Sequence, residues 1–260
     1  MKLISCHDGK LFTLDAARPS RATTQTFRTD IPALDELPPG GAFARGAVHE
    51  LLSKPGDAKP TFFASVLALH AWTNQNRAVV WSDPHEEFYP PAAAALGIPL
   101  DRLFVLRPKD DAEQVWAVAE CLRCRGVAAV VATLGARQRL SRVAARQLQL
   151  AAERGGGVGL LLRTAGKSSA ATADDEHAAQ TRWLVQPAPG EPLVQRWRIQ
   201  LIFGHGGQVG QSVILEHHRD RHATSGKPLL PHLAAHPVRP AAELADRPAA
   251  AREAKIAAAG

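Results

Sequence analysis

The sequence predicts an α/β fold, in which a mainly parallel central sheet flanked by helices is followed by a small C-terminal antiparallel β appendage and a flexible tail. From Ala47 to Arg163, short apolar runs alternate with segments that carry apolar residues at helical spacing. That alternation is typical of a parallel sheet covered on both faces. Beyond Thr164 the alternation stops, and strand-like segments around Gly and Pro turns predict an antiparallel meander.

Each element follows from its local pattern. Residues 34–37 predict a short helical turn, which the Pro and Gly residues at 38–41 end. The strands are apolar runs too short for helices, whereas the helices repeat apolar residues as Phe62 and Val66 do. The predicted strands are 47–52, 77–81, 103–106, 127–132 and 158–163, with helices at 61–75, 88–96, 111–123 and 141–154, and meander strands at 181–186, 194–203 and 212–217.

The two ends of the chain differ from this core in composition. Residues 1–28 are mixed and polar without an apolar period, which predicts an N-terminal arm. Residues 29–217 form the predicted core domain. Residues 218–260 are rich in His, Pro, Ala and Arg and poor in aromatic and β-branched residues, which predicts a basic flexible tail.

Composition narrows the class of protein. A chain of 260 residues is long enough to form a stable hydrophobic core without disulfide or metal cross-links. Its three cysteines, Cys6, Cys121 and Cys124, indicate a reducing cytosol rather than a disulfide scaffold. The apolar runs fall far short of the roughly 20 residues that a membrane helix needs. The net charge of +6 favours phosphates or acidic surfaces as partners.

The loop between the first core strand and its helix lies where α/β proteins bind phosphates. Compared with the phosphate-loop pattern G-x-x-x-x-G-K-[ST], it keeps Lys59 but has Ser53 and Ala58 at the glycine positions and Pro60 at the metal-binding hydroxyl. Proline also removes a donor amide. We therefore expect a structural turn, with residual ATP binding through Lys59 and Thr61 as the alternative.

Several segments resemble the RecA-like recombinase core. Residues 31–50 resemble its lead-in to the phosphate loop, residues 81–86 its second strand with Asp83, and residues 95–103 its next connection. The resemblance implies a water-activating glutamate where this chain has His85 and a magnesium-site acid where it has Ala132. Since phosphoryl transfer depends on positioning and charge neutralisation, we predict no catalytic residues and no required cofactor.

The ordered set of segments over residues 28–217 resembles the ImuA family, including those at 106–108, 116–120, 148–153 and 196–201. That resemblance implies a RecA-like protein without a working ATPase, which accompanies an inactive Y-family polymerase relative and an error-prone replicative-type polymerase in bacterial damage-induced mutagenesis. It further implies the RecA recombinase as a partner and a cytoplasmic, nucleoid-associated location. The expected role is that of a non-catalytic adaptor in translesion DNA synthesis.

An arginine-rich stretch follows the fourth core strand. Its members Arg137, Arg139, Arg142 and Arg146 precede or begin the next predicted helix. In recombinases the first DNA-binding loop follows the same strand, so these arginines are candidates for binding DNA phosphates or an acidic partner. A solvated helix face is the alternative.

Other patterns point away from catalysis and metal binding. Cys121 and Cys124 have the spacing of a redox or zinc pair, but they lie alone within an amphipathic helix and are predicted to pack. The histidines between His205 and His236 are predicted to be solvated, so no metal site is expected. Three alternatives to the adaptor stay open: an ATP-binding RecA-type regulator, a SulA-like cell-division inhibitor and a general DNA-binding protein.

Overall fold

The structure, a computed structural model, describes residues 3–7, 10–14, 26–135, 138, 140–165, 179–191, 194–218 and 233–237. The strands are β1 Leu3–His7, β2 Lys10–Leu14, β3 Thr26–Phe27, β4 Phe43–Ala44, β5 Ala47–Ser53, β6 Ala78–Ser82, β7 Leu103–Leu106, β8 Val127–Thr133, β9 Val158–Thr164, β10 Thr181–Ala188, β11 Val194–Gly204, β12 Ser212–His218 and β13 Leu233–Pro237. The helices are α1 Pro32–Asp35, α2 Thr61–Trp72, α3 Pro90–Ala95, α4 Asp111–Arg123 and α5 Arg142–Gly155, with 3-10 turns at Pro39–Gly41 and Leu100–Arg102.

One nine-stranded sheet organises the chain, in the order β13-β12-β11-β10-β5-β9-β8-β6-β7. The six strands from β10 to β7 are parallel, whereas β10 to β13 pair antiparallel. The predicted α/β class with a mainly parallel core and an antiparallel C-terminal part is therefore confirmed. The meander is continuous with the core sheet, because β10 pairs with β5 on one side and with β11 on the other.

Helices cover both faces of the parallel strands. On one face α2 packs in a core that includes Phe63, Trp81 and Trp183, and on the other face α4 and α5 pack in a core that includes Leu122 and Leu148. The strands β5, β6 and β8 are buried along their whole length. The sequences of β6 and β8 are accordingly almost continuous apolar runs, whereas β5 includes His49 and Glu50, which are paired inside the protein.

Capping residues set the ends of α4 and α5. The Asp110 side chain accepts a hydrogen bond from the Glu113 amide at 2.8 Å, and Ser141 accepts one from Ala144 at 3.2 Å. The end of α5 lies against the end of α4, where a Cβ on Gly155 would collide with the Leu122 carbonyl oxygen. Glycine is therefore required for this close helix contact.

Three segments differ from the sequence-based expectation. The predicted helix 61–75 ends at Trp72, where the Thr73 hydroxyl donates to the Leu69 carbonyl at 2.8 Å and Asn74 has a positive φ. β1 and β2 pair as an antiparallel hairpin within the predicted N-terminal arm. β13 lies within the predicted tail, where it pairs with the outer edge of β12. The boundaries at 28 and 217 stay predictions, and most of the tail and residues 166–178 lie outside the described residues.

Across the described ranges, no helix combines the length and apolar character needed to cross a membrane.

Candidate functional site

The loop between β5 and α2 occupies the position of a phosphate loop, and its lysine forms an ion pair with a carboxylate of the same protein. Lys59 Nζ donates to Glu87 Oε2 at 3.1 Å, and its side chain is only 20% exposed. Helix α2 begins at Thr61 directly after Pro60, whose side chain supplies no cap. The structure therefore places a carboxylate, rather than open space, against the predicted phosphate-binding ammonium group.

Thr61 occupies the first position of α2. Its amide donates to the Lys59 carbonyl at 2.8 Å, which directs this N–H back into the loop. Its carbonyl accepts the Ser65 hydroxyl at 2.8 Å. One of the amides that a phosphate uses at the start of a helix is thus already bonded, and the preceding residue is a proline without an amide hydrogen.

Asp83 is buried at the end of β6 and closes the loop that follows. Its two carboxylate oxygens accept hydrogen bonds from the amides of Glu87 at 3.2 Å and Phe88 at 2.8 Å. This arrangement places the Phe88 ring on Trp81, with ring centroids 3.9 Å apart. Lys59 and Asp83 are therefore brought to the same loop, 83–88, where both stabilise its conformation.

The carboxyl ends of β6 and β8 are joined by a side chain that the sequence analysis did not identify. Gln114 from α4 is 1% exposed, and its Nε2 donates to Ser82 Oγ at 3.1 Å and to the Thr133 carbonyl at 3.0 Å. Ala132, at the position of the implied metal-binding acid, is fully buried. The position of the implied magnesium-site acid is thus apolar, and the neighbouring strand ends are joined by a neutral amide. The signal was present in the sequence, since Gln114 shares a helical face with Val118 and Leu122.

A buried ion cluster joins the three neighbouring parallel strands β10, β5 and β9. Glu50 on β5 is 2% exposed and accepts from Arg182 Nε on β10 at 2.9 Å and from Arg163 Nη1 on β9 at 3.2 Å. Charges removed from water are tolerated only when they are paired in this way. The cluster fixes β10 at the edge of the parallel strands.

His49 is buried on the opposite face of β5. Its Nε2 lies 2.9 Å from the Ala44 carbonyl and its Nδ1 lies 2.7 Å from Thr181 Oγ1. A neutral ring satisfies both contacts, with Nε2–H donating to the carbonyl and Nδ1 accepting from the hydroxyl. Burial lowers the pKa of His49 to about 4, although the Ala44 hydrogen bond acts in the opposite direction.

The predicted arginine set is only partly described. Arg137 and Arg139 lie outside the described residues. Arg142 and Arg146 are exposed on the first two turns of α5, and Arg146 Nη1 lies 3.8 Å from Glu153 Oε1. Their proposed contacts with DNA or a partner stay a prediction.

A groove of about 550 Å³ runs between α4 and α5. Its most prominent apolar group is Trp116, whose side chain is 62% exposed, and Val143 on α5 is also exposed. The groove is lined by Asp111, Ala112, Val115, Trp116, Ala119, Glu120, Arg123, Gln138, Leu140, Ser141, Ala144 and Gln147. Sequence reasoning missed this surface, because it depends on how two helices separated by a strand are placed side by side.

The two cysteines of α4 and its C-terminus are poor candidates for chemistry. The Cys124 side chain is buried. The pKa of the Cys121 thiol is raised to about 11, chiefly because Cys121 is itself largely buried and also because Cys124 and Glu120 lie nearby. A thiol with such a pKa is not an activated nucleophile. Among the residues whose placement is given, no group of three or more His, Cys, Asp or Glu side chains is arranged to hold a metal ion.

The parallel sheet, with a phosphate-loop position at the carboxyl edge, defines a RecA-like α/β protein. The crystal structure of the RadB recombinase has the same fold, with a TM-score of 0.54 at 15% identity over 72% of this chain and 94% of that one. No family model matches the chain. Protein ImuA from two strains of Caulobacter vibrioides is 31% identical over 253 residues, which cover 90% of this chain and 96% of the relative. The chain belongs to the ImuA family, and it is a RecA-like protein associated with translesion DNA synthesis.

Proposed function

We propose that this protein is a non-catalytic adaptor in DNA-damage-induced translesion synthesis. In this role it binds an inactive Y-family polymerase relative, the RecA recombinase and the error-prone polymerase assembly, in the cytoplasm at the nucleoid. The proposal rests on one observation, which is that the polar groups at the position of a nucleotide site are hydrogen-bonded to other parts of this chain. Lys59 is bonded to Glu87, and Asp83 holds the amides of the same loop.

Each missing ATPase group has a physical consequence. Phosphoryl transfer requires donors around the phosphates, a metal ion and a positioned water. Pro60 takes a donor away, Gln114 and Ala132 offer no negative charge to a metal ion, and His85 replaces the implied glutamate. A RecA-like core with these replacements retains surfaces for binding other proteins but lacks the machinery for a nucleotide cycle.

The α4–α5 groove is the surface best suited to hold the Y-family polymerase relative. An exposed tryptophan beside an apolar groove has the composition of an interface anchor, because a ring buried on binding supplies a large area with few rotatable bonds. The polar rim of the groove includes Asp111 and Arg123, so both charge signs are available to orient a partner segment.

Replacing Trp116 by alanine is expected to weaken capture of the Y-family polymerase relative by roughly 30-fold, which corresponds to about 2 kcal/mol for an anchor residue. Folding is expected to be unchanged, since the side chain is mostly exposed. The measurement is retention of that partner by the tagged full chain from DNA-damaged cells, followed by titration with the purified partner.

Tyr89→Ala is the matched control, because this aromatic side chain is 68% exposed but lies at the start of α3, outside the groove. Retention by Tyr89→Ala together with loss by Trp116→Ala supports the assignment. Equal binding by the wild-type protein and Trp116→Ala would rule out the groove as the partner surface, and absence of any Y-family relative among the captured proteins would contradict the adaptor role.

A further inference from the structure

The edge of the sheet opposite the nucleotide-type loop carries a row of arginines. An arginine precedes each of the four neighbouring parallel strands β5, β9, β8 and β6 by one to four residues. We call this surface the basic edge; its members, in strand order, are Arg45, Arg154, Arg125 and Arg77. Because adjacent strands lie about 4.8 Å apart, the row extends over about 14 Å.

Two of these arginines are held in place by backbone carbonyls. Arg45 Nη1 donates to the Ala71 carbonyl at 2.7 Å, and its guanidinium lies 5.2 Å from the centroid of the Phe27 ring. Arg77 donates to the carbonyls of Arg125 at 2.6 Å, Gly155 at 3.1 Å and Gly156 at 3.3 Å. These contacts satisfy helix C-termini and leave the positive charges in fixed positions.

Carboxylates do not neutralise this row. Among the described residues, none of the four arginines forms an ion pair, and the connections 45–46, 73–77, 124–126 and 156–157 contain no acidic residue. The nearby acids Glu120 and Glu153 face Arg123 and Arg146. Burial lowers the pKa of Arg45 to about 10, and the neighbouring positive charge of Arg77 acts in the same direction.

The chemistry of the basic edge favours nucleic acid over an acidic protein. A protein interface needs an apolar centre, but the exposed large apolar side chains of the described residues, Tyr89, Leu100, Val105, Trp116, Val143 and Val209, all lie outside the four connections. A phosphate backbone requires only positive charge and N–H donors, which this edge supplies through the exposed side chains of Arg125 and Arg154.

We infer that the basic edge binds the phosphate backbone of a nucleic acid strand, on the side of the sheet opposite the nucleotide-type loop. Arg125 and Arg154 contact phosphates directly, while Arg45 and Arg77 supply a fixed positive field. Binding of this kind is independent of base sequence and salt-dependent, since each phosphate contact releases a counterion. It is also independent of the adaptor role, because it uses neither the α4–α5 groove nor the loop at Lys59.

The test is fluorescence anisotropy of a labelled oligothymidylate strand, and separately of a DNA duplex, titrated with the full chain between about 50 and 200 mM salt. Arg125→Ala with Arg154→Ala is expected to weaken binding about tenfold at the lowest salt. Loss of two contacts lowers the slope of log K against log salt by about 1.4 for the single strand and about 1.8 for the duplex. Whichever probe shows this change identifies the strand form that is bound.

Arg107→Ala with Arg198→Ala is the matched control, because it removes the same charge from two exposed positions, one directly after β7 and one on β11, that lie away from the basic edge. Control binding like that of the wild-type protein supports the inference. Unchanged binding by Arg125→Ala with Arg154→Ala overturns it, as does loss only in Arg142→Ala with Arg146→Ala. Polyglutamate binding as tight as that of DNA, with the same sensitivity to the edge variant, overturns it in favour of an acidic protein partner.

Discussion

Replacement of Glu50 by alanine is expected to lower the free energy of unfolding by about 3–5 kcal/mol. The Glu50 carboxylate is the shared partner of Arg182, which is 1% exposed, and of Arg163. Without it, the Arg182 guanidinium loses the ion pair with Glu50 at a buried site where water is a poor substitute. Urea denaturation followed by far-UV circular dichroism measures the change.

Glu87→Ala is the control for this experiment, because Glu87 also forms an ion pair, with Lys59, but its side chain is 58% exposed. Exposed pairs contribute about 0–1 kcal/mol, so this variant is expected to unfold close to the wild-type protein. Similar losses in the two variants would show that the Glu50 cluster is no more than another surface ion pair and would contradict the structural account of β10 docking.

Acidification from pH 7 to 4 is expected to destabilise the protein by about 3 kcal/mol through His49 alone. The pKa of the buried His49 is lowered to about 4, below the ordinary value of 6.5, because burial disfavours the charged ring. Well above pH 6.5 the ring is neutral in both the folded and the unfolded chain, so its titration does not change the free energy of unfolding. As the pH falls from 6.5 to 4, only the unfolded chain takes up the proton, so stability is lost in that interval.

The measurement is the free energy of unfolding at several pH values for the wild-type protein and for His49→Gln, which removes the titrating group. The variant starts from a lower stability, but the difference between the two proteins is expected to shrink by about 3 kcal/mol as the pH falls from 6.5 to 4. A constant difference over that interval would show that the pKa of His49 is the same in the folded and unfolded states, which would contradict the prediction.

Local patterns in the sequence were sufficient to predict most elements of the core. The strands at β5, β6, β7, β8 and β9 lie within a residue or so of their predicted bounds, because each consists mainly of apolar residues and is set off by turn residues or a capped helix. β13 was missed because its sequence, Leu-Ala-Ala-His-Pro, has no strand-like pattern, and the pairing with β12 comes from an edge separated from it in sequence.

The site was harder to predict, since the partners of its side chains come from segments that are distant in the sequence. The sequence shows that Lys59 stands at a degenerate phosphate loop, but it does not show that Glu87 is its partner or that Asp83 serves the same loop. The basic edge could not be predicted from the sequence for the same reason. Arg45, Arg77, Arg125 and Arg154 are spread over 110 positions of sequence, and only the strand order brings them to one side of the sheet.

Release of phosphate from magnesium-ATP by the purified full chain, with and without single-stranded DNA, tests the central claim most directly. Because Lys59 is bonded to Glu87 and Ala132 stands at the position of the implied metal-binding acid, we expect no release above that of buffer, and the same result for Lys59→Ala. Hydrolysis by the wild-type protein that Lys59→Ala abolishes would contradict the non-catalytic adaptor and favour an ATP-dependent RecA-type regulator.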